Sequence, residues 1–252
     1  MSSTLSAAVV LACTFGGALF GIFIRGRLPE NDLDNDSKDT VKLIIGLIAT
    51  LTALVLGLLI SSAHSAYDTQ TGEVQRLGVH LIQIDRILGR FGQDGTQARH
   101  VLRKLVASDI DRTWRNDRAG APSAPFQAEA EGEQLFMQIA SLSPTTNQQR
   151  LGQARMLELL ATVGETRRLL AEQAHSSLSW VFLVVLVAWL TLLFFGFGLF
   201  ARFNRTVVVA LFTGALSVAA AVFVILEMNH PYSGSMQISS APLRDALNQM
   251  SE

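Results

Sequence analysis

Four stretches of the chain hold no Asp, Glu, Lys or Arg: Leu5–Ile24 (20 residues), Leu43–Ile60 (18), Leu178–Phe200 (23) and Val207–Leu226 (20). Each is close to the ~20 residues with which a helix crosses a ~30 Å hydrocarbon core, so the pattern predicts four membrane spans. Met1–Thr4 carries no basic residue, the first apolar run is longer than the h-region of a secretory signal, and Arg25 and Arg27 follow it directly. The first stretch is therefore expected to be a retained span.

Helical periodicity continues past the second span. After Pro29, which stops any helix carried over from span one, Asp36 and Asp39 offer a capped start. No Pro occurs from Lys42 to Phe91, and Val74, Leu77, Leu81, Ile84, Leu88 and Phe91 recur at steps of 3, 4, 3, 4 and 3. That is a heptad seam, broadened by Ile82 and Ile87. A helix of about 50 residues would be roughly 75 Å long and would leave the membrane, ending at the F-G-Q-D-G run, Phe91–Gly95.

A second soluble helix is expected over Gln97–Arg118, with Val101, Leu102, Leu105, Val106, Ile110 and Trp114 on one side and Arg99, Arg103, Lys104, Arg112, Arg115 and Arg118 around the rest. Ala119–Pro125 reads as a linker and Gln127–Ser141 as a short helix. Ser143-Pro144 is expected to start the next helix, with Ser as cap. Met156, Leu160, Val163, Leu170 and Ala174 then keep the helical steps, interrupted by Arg167, so the third span is expected to end a second long helix.

The predicted fold is all-α: four transmembrane helices with a helical soluble stalk made by antiparallel extensions of spans two and three. Its parts are 1–60 (spans one and two with an acidic loop, 25–42), the stalk 61–177, a hairpin of spans three and four at 178–228, and a polar tail, 229–252. No stretch has a strand signal.

Composition agrees. Only 16% of residues are charged and 49% are hydrophobic, against about 25% charged in soluble domains. This excludes a secreted domain, a cytosolic enzyme and a disordered chain. A net charge of −1 gives no electrostatic basis for a nucleic-acid partner. The single Cys13 lies within span one and cannot form an intrachain disulfide.

Candidate chemistry is sparse. Asp32, Asp34 and Asp36 imitate the opening of a calcium loop, but Ser37 and Leu43 stand where that loop needs Gly and a bidentate Glu. An acidic turn is the preferred reading, a metal site the alternative, and no cofactor is expected. Glu227, at the end of the last apolar run, is a costly carboxylate with an interfacial or structural role, or a place on an ion path. Gly46, Thr50, Ala53 and Gly57 form a small-residue stripe that extends to Ser61 and His64. Such a stripe either lets helices approach closely or lines a pore, and Thr50, Gly57, Ser61 and His64 are the pore-lining candidates. Gly17, Gly21, Ala210 and Gly214 are read as packing contacts. The five histidines show no zinc spacing, and no H-E-x-x-H, G-x-S-x-G or phosphate-loop motif occurs. The chain is not expected to be an enzyme.

The tail M-N-H-P-Y-S-G-S-M-Q-I-S-S-A-P-L-R-D-A-L, Met228–Leu247, resembles the closing motif of the bestrophin-like domain family of bacteria and plants. The matching positions are Glu227, Pro231, Tyr232, Ser233, Gly234, Pro242 and Leu243; E-V-Q-R-L-G-V-H-L, Glu73–Leu81, is similar to the family's segment after the second span. The resemblance implies a distant relation to bestrophins, pentameric anion channels with cytosolic termini. Their pore narrows at aromatic residues on span two, whereas Leu43–Gly57 here contains no Phe. The resemblance thus implies a homo-oligomeric ion channel, passive and slightly favouring anions, with an axial pore lined by span two. The alternative is a non-conducting membrane-anchored scaffold or sensor whose stalk binds another protein. Expected partners are further copies of the chain, the lipid bilayer, inorganic ions and a cytosolic protein at the stalk.

Loop charge and the family resemblance point to opposite orientations. The short loops hold Arg25, Arg27, Lys38, Lys42, Arg202 and Arg205, against Arg76, Arg167, Arg168 and Arg244 on the stalk side, which favours the short loops inside. The resemblance places the termini and stalk in the cytosol. A multi-pass protein of a bacterial inner membrane in that second orientation is the expectation.

Overall fold

The computed structural model describes residues 3–27, 35–114, 129–175, 180–201 and 203–250. It is helical throughout, with no strand among the described residues. In chain order the helices are α1 (Ser3–Arg25), α2 (Asn35–Leu88), α3 (Gln93–Trp114), α4 (Glu129–Ala140), α5 (Asn147–His175), α6 (Trp180–Phe200), α7 (Arg205–Met228) and α8 (Ala241–Gln249). Helices α1, α2, α6 and α7 are long and apolar enough to cross a membrane, with mean hydropathies of 2.3, 2.8, 2.6 and 2.5 over their most apolar stretches. The chain forms two compact units, Met1–Ser65 with Leu178–Asn229, and Ala66–Ser177 with His230–Glu252.

In the first unit α1 packs along α6 and, less extensively, along α7. Glycine sets the closeness. A Cβ on Gly21 would overlap the Phe195 carbonyl, one on Gly198 would overlap the Ala18 carbonyl, and one on Gly17 would lie 2.9 Å from the Thr191 carbonyl oxygen. In lipid, where burying apolar surface between helices gains little, such backbone approach is a main source of helix association. Gly196 of α6 similarly admits the Ile45 side chain of α2. Phe15 meets Phe212 edge-on at 5.3 Å. Arg25, in the last turn of α1, donates through Nη1 to the Phe200 carbonyl at the end of α6. One of the arginines in the short-loop charge count thus has a carbonyl partner inside the protein.

In the second unit the seam residues Val74, Leu77, Leu81, Ile84, Leu88 and Phe91 are 0–7% exposed. They share a core with Leu102, Leu105 and Val106 of α3, Leu135 and Ile139 of α4, and Met156, Val163 and Leu170 of α5. α2 is one helix of 54 residues. It ends in a single 3₁₀ turn, Gly89–Phe91, and Gly92 at φ +61° reverses the chain, a conformation glycine adopts without a Cβ penalty. α3 therefore begins at Gln93, earlier than the expected Gln97. Arg99 forks onto Asp85 across the turn at 2.8 and 2.7 Å, rather than lying on a solvated face.

α5 begins at Asn147 instead of behind Ser143. The reason is a capping box one turn later. The Gln149 N–H donates to Thr146 Oγ1 at 3.1 Å while Gln149 Oε1 accepts from the Thr146 N–H at 3.2 Å. Asp32, Asp34, the side chain of Asp36, the linker 119–125 and the 176–179 junction of α5 with α6 lie outside the described residues. The calcium-loop alternative and the expected single helix through span three fall there.

Candidate functional site

Span two differs from the other spans in its packing. Over the most apolar stretch of α2 only 6% of residues are buried, against 22%, 33% and 22% for α1, α6 and α7. The buried or half-buried side carries Ile45, Ile48, Thr52, Val55, Leu56, Leu59 and Ala63. Thr52 returns its hydroxyl to the Ile48 carbonyl at 2.7 Å, so its polar atom is satisfied within the helix. At 3.6 residues per turn, Gly46, Thr50, Gly57, Ser61 and His64 lie on the opposite side, and all five are exposed. Thr50 likewise donates to the Gly46 carbonyl at 2.8 Å. A Cβ on Gly46 or Gly57 would meet nothing within 4 Å. These glycines therefore admit no neighbour among the described residues, in contrast to Gly17, Gly21, Gly196 and Gly198. Exposed leucines at 43, 47, 54 and 58 run along one side of the stripe.

The tail residues form a docked loop and helix in the second unit. Pro231 and Tyr232 are buried, and the Ile238 N–H closes the loop onto the Pro231 carbonyl at 2.8 Å. The Ser233 N–H donates to the His230 carbonyl at 3.1 Å, and Gly234 turns the chain at φ +92°. Trp114 of α3 donates from Nε1 to the Ile238 carbonyl at 2.8 Å and meets the Tyr232 ring edge-on at 5.9 Å. Burial raises the Tyr232 phenol above its ordinary value, and the charge of Glu73 adds to the shift. Glu73 itself is raised by burial, partly offset by Arg76. Pro242 stands at the start of α8, and Leu243, Ala246 and Met250 turn inward to the core. Pro242 also rests on Gly78, where a Cβ would come within 2.8 Å of the Pro242 carbonyl oxygen. The two stretches that carry the family resemblance thus touch each other. Glu227 is buried in the last turn of α7 in the first unit, not open to solvent.

This contact gives a prediction. Gly78→Ala pushes Pro242 outward and loosens α8. Limited trypsin digestion should then cut at Arg244 faster than in the wild type, with the four-span part unaffected. Equal cutting rates would mean that the tail is held elsewhere.

Arg167, which interrupts the α5 pattern, lies in the core and donates to Asp109 of α3 at 2.8 Å. The two side chains are 9% and 7% exposed. Burial outweighs the guanidinium and pushes the Asp109 carboxyl up to about 6. No group of His, Cys, Asp and Glu able to hold a metal ion occurs among the described residues.

An all-helical four-span integral membrane protein with a tail-clasped helical unit is the class these observations define. The model of the Bestrophin-like domain matches residues 12–243, and the chain belongs to that family. Among solved structures it is similar to the crystal structure of a mutant bacterial bestrophin homologue from Klebsiella pneumoniae. The TM-score is 0.66 at 13% identity, covering 97% of this chain and 99% of that one. This likeness shows a shared fold. No curated protein matches the chain.

Proposed function

We propose that the protein is a homo-oligomeric ion channel of bestrophin-like type, conducting passively along an axis lined by span two. The observation that carries the reading is the stripe Gly46, Thr50, Gly57, Ser61 and His64, left exposed on the least buried span. Facing lipid, this side would leave His64 costly and the glycines without use. Facing an axis shared by several copies, hydroxyls, bare backbone and an imidazole suit hydrated ions. The side chains offer no ring of like charge, and selectivity rests on pore width and on hydroxyl and backbone dipoles, with a slight preference for anions. The family relation supports a pentamer, with the termini and the second unit in the cytosol of a bacterial inner membrane.

Gly57→Phe tests this. A Cβ at this position meets nothing within 4 Å among the described residues, so the oligomer should assemble as before while conductance in a planar bilayer falls at least tenfold. Undiminished current through Gly57→Phe would remove span two from the pore. Silence of the wild type under every ionic condition would favour the scaffold or sensor reading.

A further inference from the structure

The second unit contains a cavity of about 410 Å³ among α2, α3, α4 and α5, within the size range of small-molecule sites. Its wall is apolar, with Leu81, Leu102, Leu105, Leu135 and Leu160. Arg167 also lines it, but its guanidinium is hydrogen-bonded to Asp109 and is electrically compensated. Three carboxylates line the cavity: Glu133 of α4, and Glu165 and Glu172 of α5. All three are exposed, and none forms an ion pair among the described residues. Arg168 is the one other basic lining residue.

We propose that this cavity binds a compact hydrophobic cation, its apolar body against the leucines and its ammonium group among Glu133, Glu165 and Glu172. An anion of the same shape would enter a lining with three carboxylates and two guanidinium groups, one of them hydrogen-bonded to Asp109. A neutral molecule fits the wall but gains nothing at the acidic side chains. Phe136 is also on the lining, and an aromatic ring there attracts a cation that sits over its face. The proposal concerns the second unit and does not depend on conduction through the spans.

Gly164 provides the control. It lines the cavity, and a Cβ there would meet nothing within 4 Å. Gly164→Leu therefore starts a side chain in open space and carries it into the cavity. The experiment uses the full chain in nanodiscs of zwitterionic lipid, with empty nanodiscs as the partition blank. Three cage molecules of one shape are titrated by calorimetry: adamantylammonium, adamantanol and adamantanecarboxylate. The ammonium should bind at least tenfold more tightly than the alcohol, and the carboxylate most weakly. Gly164→Leu should bring all three down to the blank. The triple variant Glu133→Gln, Glu165→Gln, Glu172→Gln should bring the ammonium down to the level of the alcohol and leave the alcohol unchanged. Equal affinity of ammonium and alcohol for the wild type would overturn the proposal, as would undiminished binding to Gly164→Leu. If Gly164→Leu did not fold, the triple variant and the wild-type preference would decide alone.

Discussion

Gly198→Val should be the most damaging substitution in the membrane part of the chain. A Cβ at that position would overlap the Ala18 carbonyl, and backbone cannot swing aside as a side chain does. α1 and α6 must then separate along a contact that Gly17 and Gly21 also depend on. Overpacking of a close contact costs about 1–3 kcal/mol and occasionally more. A β-branched side chain against fixed backbone belongs at the upper end. Thermal unfolding in detergent should show a clear loss of stability for Gly198→Val and for Gly21→Val. Gly46→Ala, where a Cβ meets nothing within 4 Å, should leave the stability of the protomer unchanged or slightly raised, since Ala favours a helix interior over Gly. Equal behaviour of Gly198→Val and Gly46→Ala would contradict the close α1–α6 contact.

Removing one partner of the Asp109–Arg167 pair should be the most damaging change in the second unit. Asp109→Ala leaves a guanidinium with 9% of its side chain exposed and without its carboxylate. Such a broken buried pair costs about 3–5 kcal/mol. The double variant Asp109→Leu, Arg167→Met removes both charges with side chains of similar branching and length, and should recover most of the loss. The pair also sets a pH dependence. The Asp109 carboxyl is pushed up to about 6 in the folded protein, against about 3.9 for an unfolded Asp. The folded state therefore holds this proton more tightly, and its contribution is fully present below about pH 4 and lost as pH rises through about 6. Asp109→Asn should flatten that slope in thermal unfolding measured from pH 4 to 7. An unchanged slope would assign it to other groups.

Much of the fold was legible because membrane spans and heptad seams are strong periodic signals. The four charge-free stretches and the seam from Val74 to Phe91 depend on side-chain period alone, and the seam residues lie in the core. Helix starts were less legible. Thr146 and Gln149 compete with Ser143-Pro144 as a start signal, and the reciprocal hydrogen bonds decide between them. The tail reads as polar because its apolar residues are few. Tyr232, Ile238, Leu243, Ala246 and Met250 become core only when docked. Arg167 stood out as an interruption, but Asp109 lies 58 residues away and no local pattern links the two. Trp114 was placed on the apolar side of its helix, while its hydrogen bond to the Ile238 carbonyl spans 124 residues. Thr50, Gly57, Ser61 and His64 share a face by helical arithmetic, and what the structure adds is that this face is exposed among the described residues.

The most direct test of the channel reading measures copy number and current on one purified sample. Native mass analysis of the detergent-solubilised protein, followed by planar-bilayer recording of wild type and Gly57→Phe from the same preparations, would serve. A single oligomeric species is expected for both proteins, with steady current through the first and almost none through the second. A monomer, or a wild-type oligomer that carries no current in any salt, would contradict it.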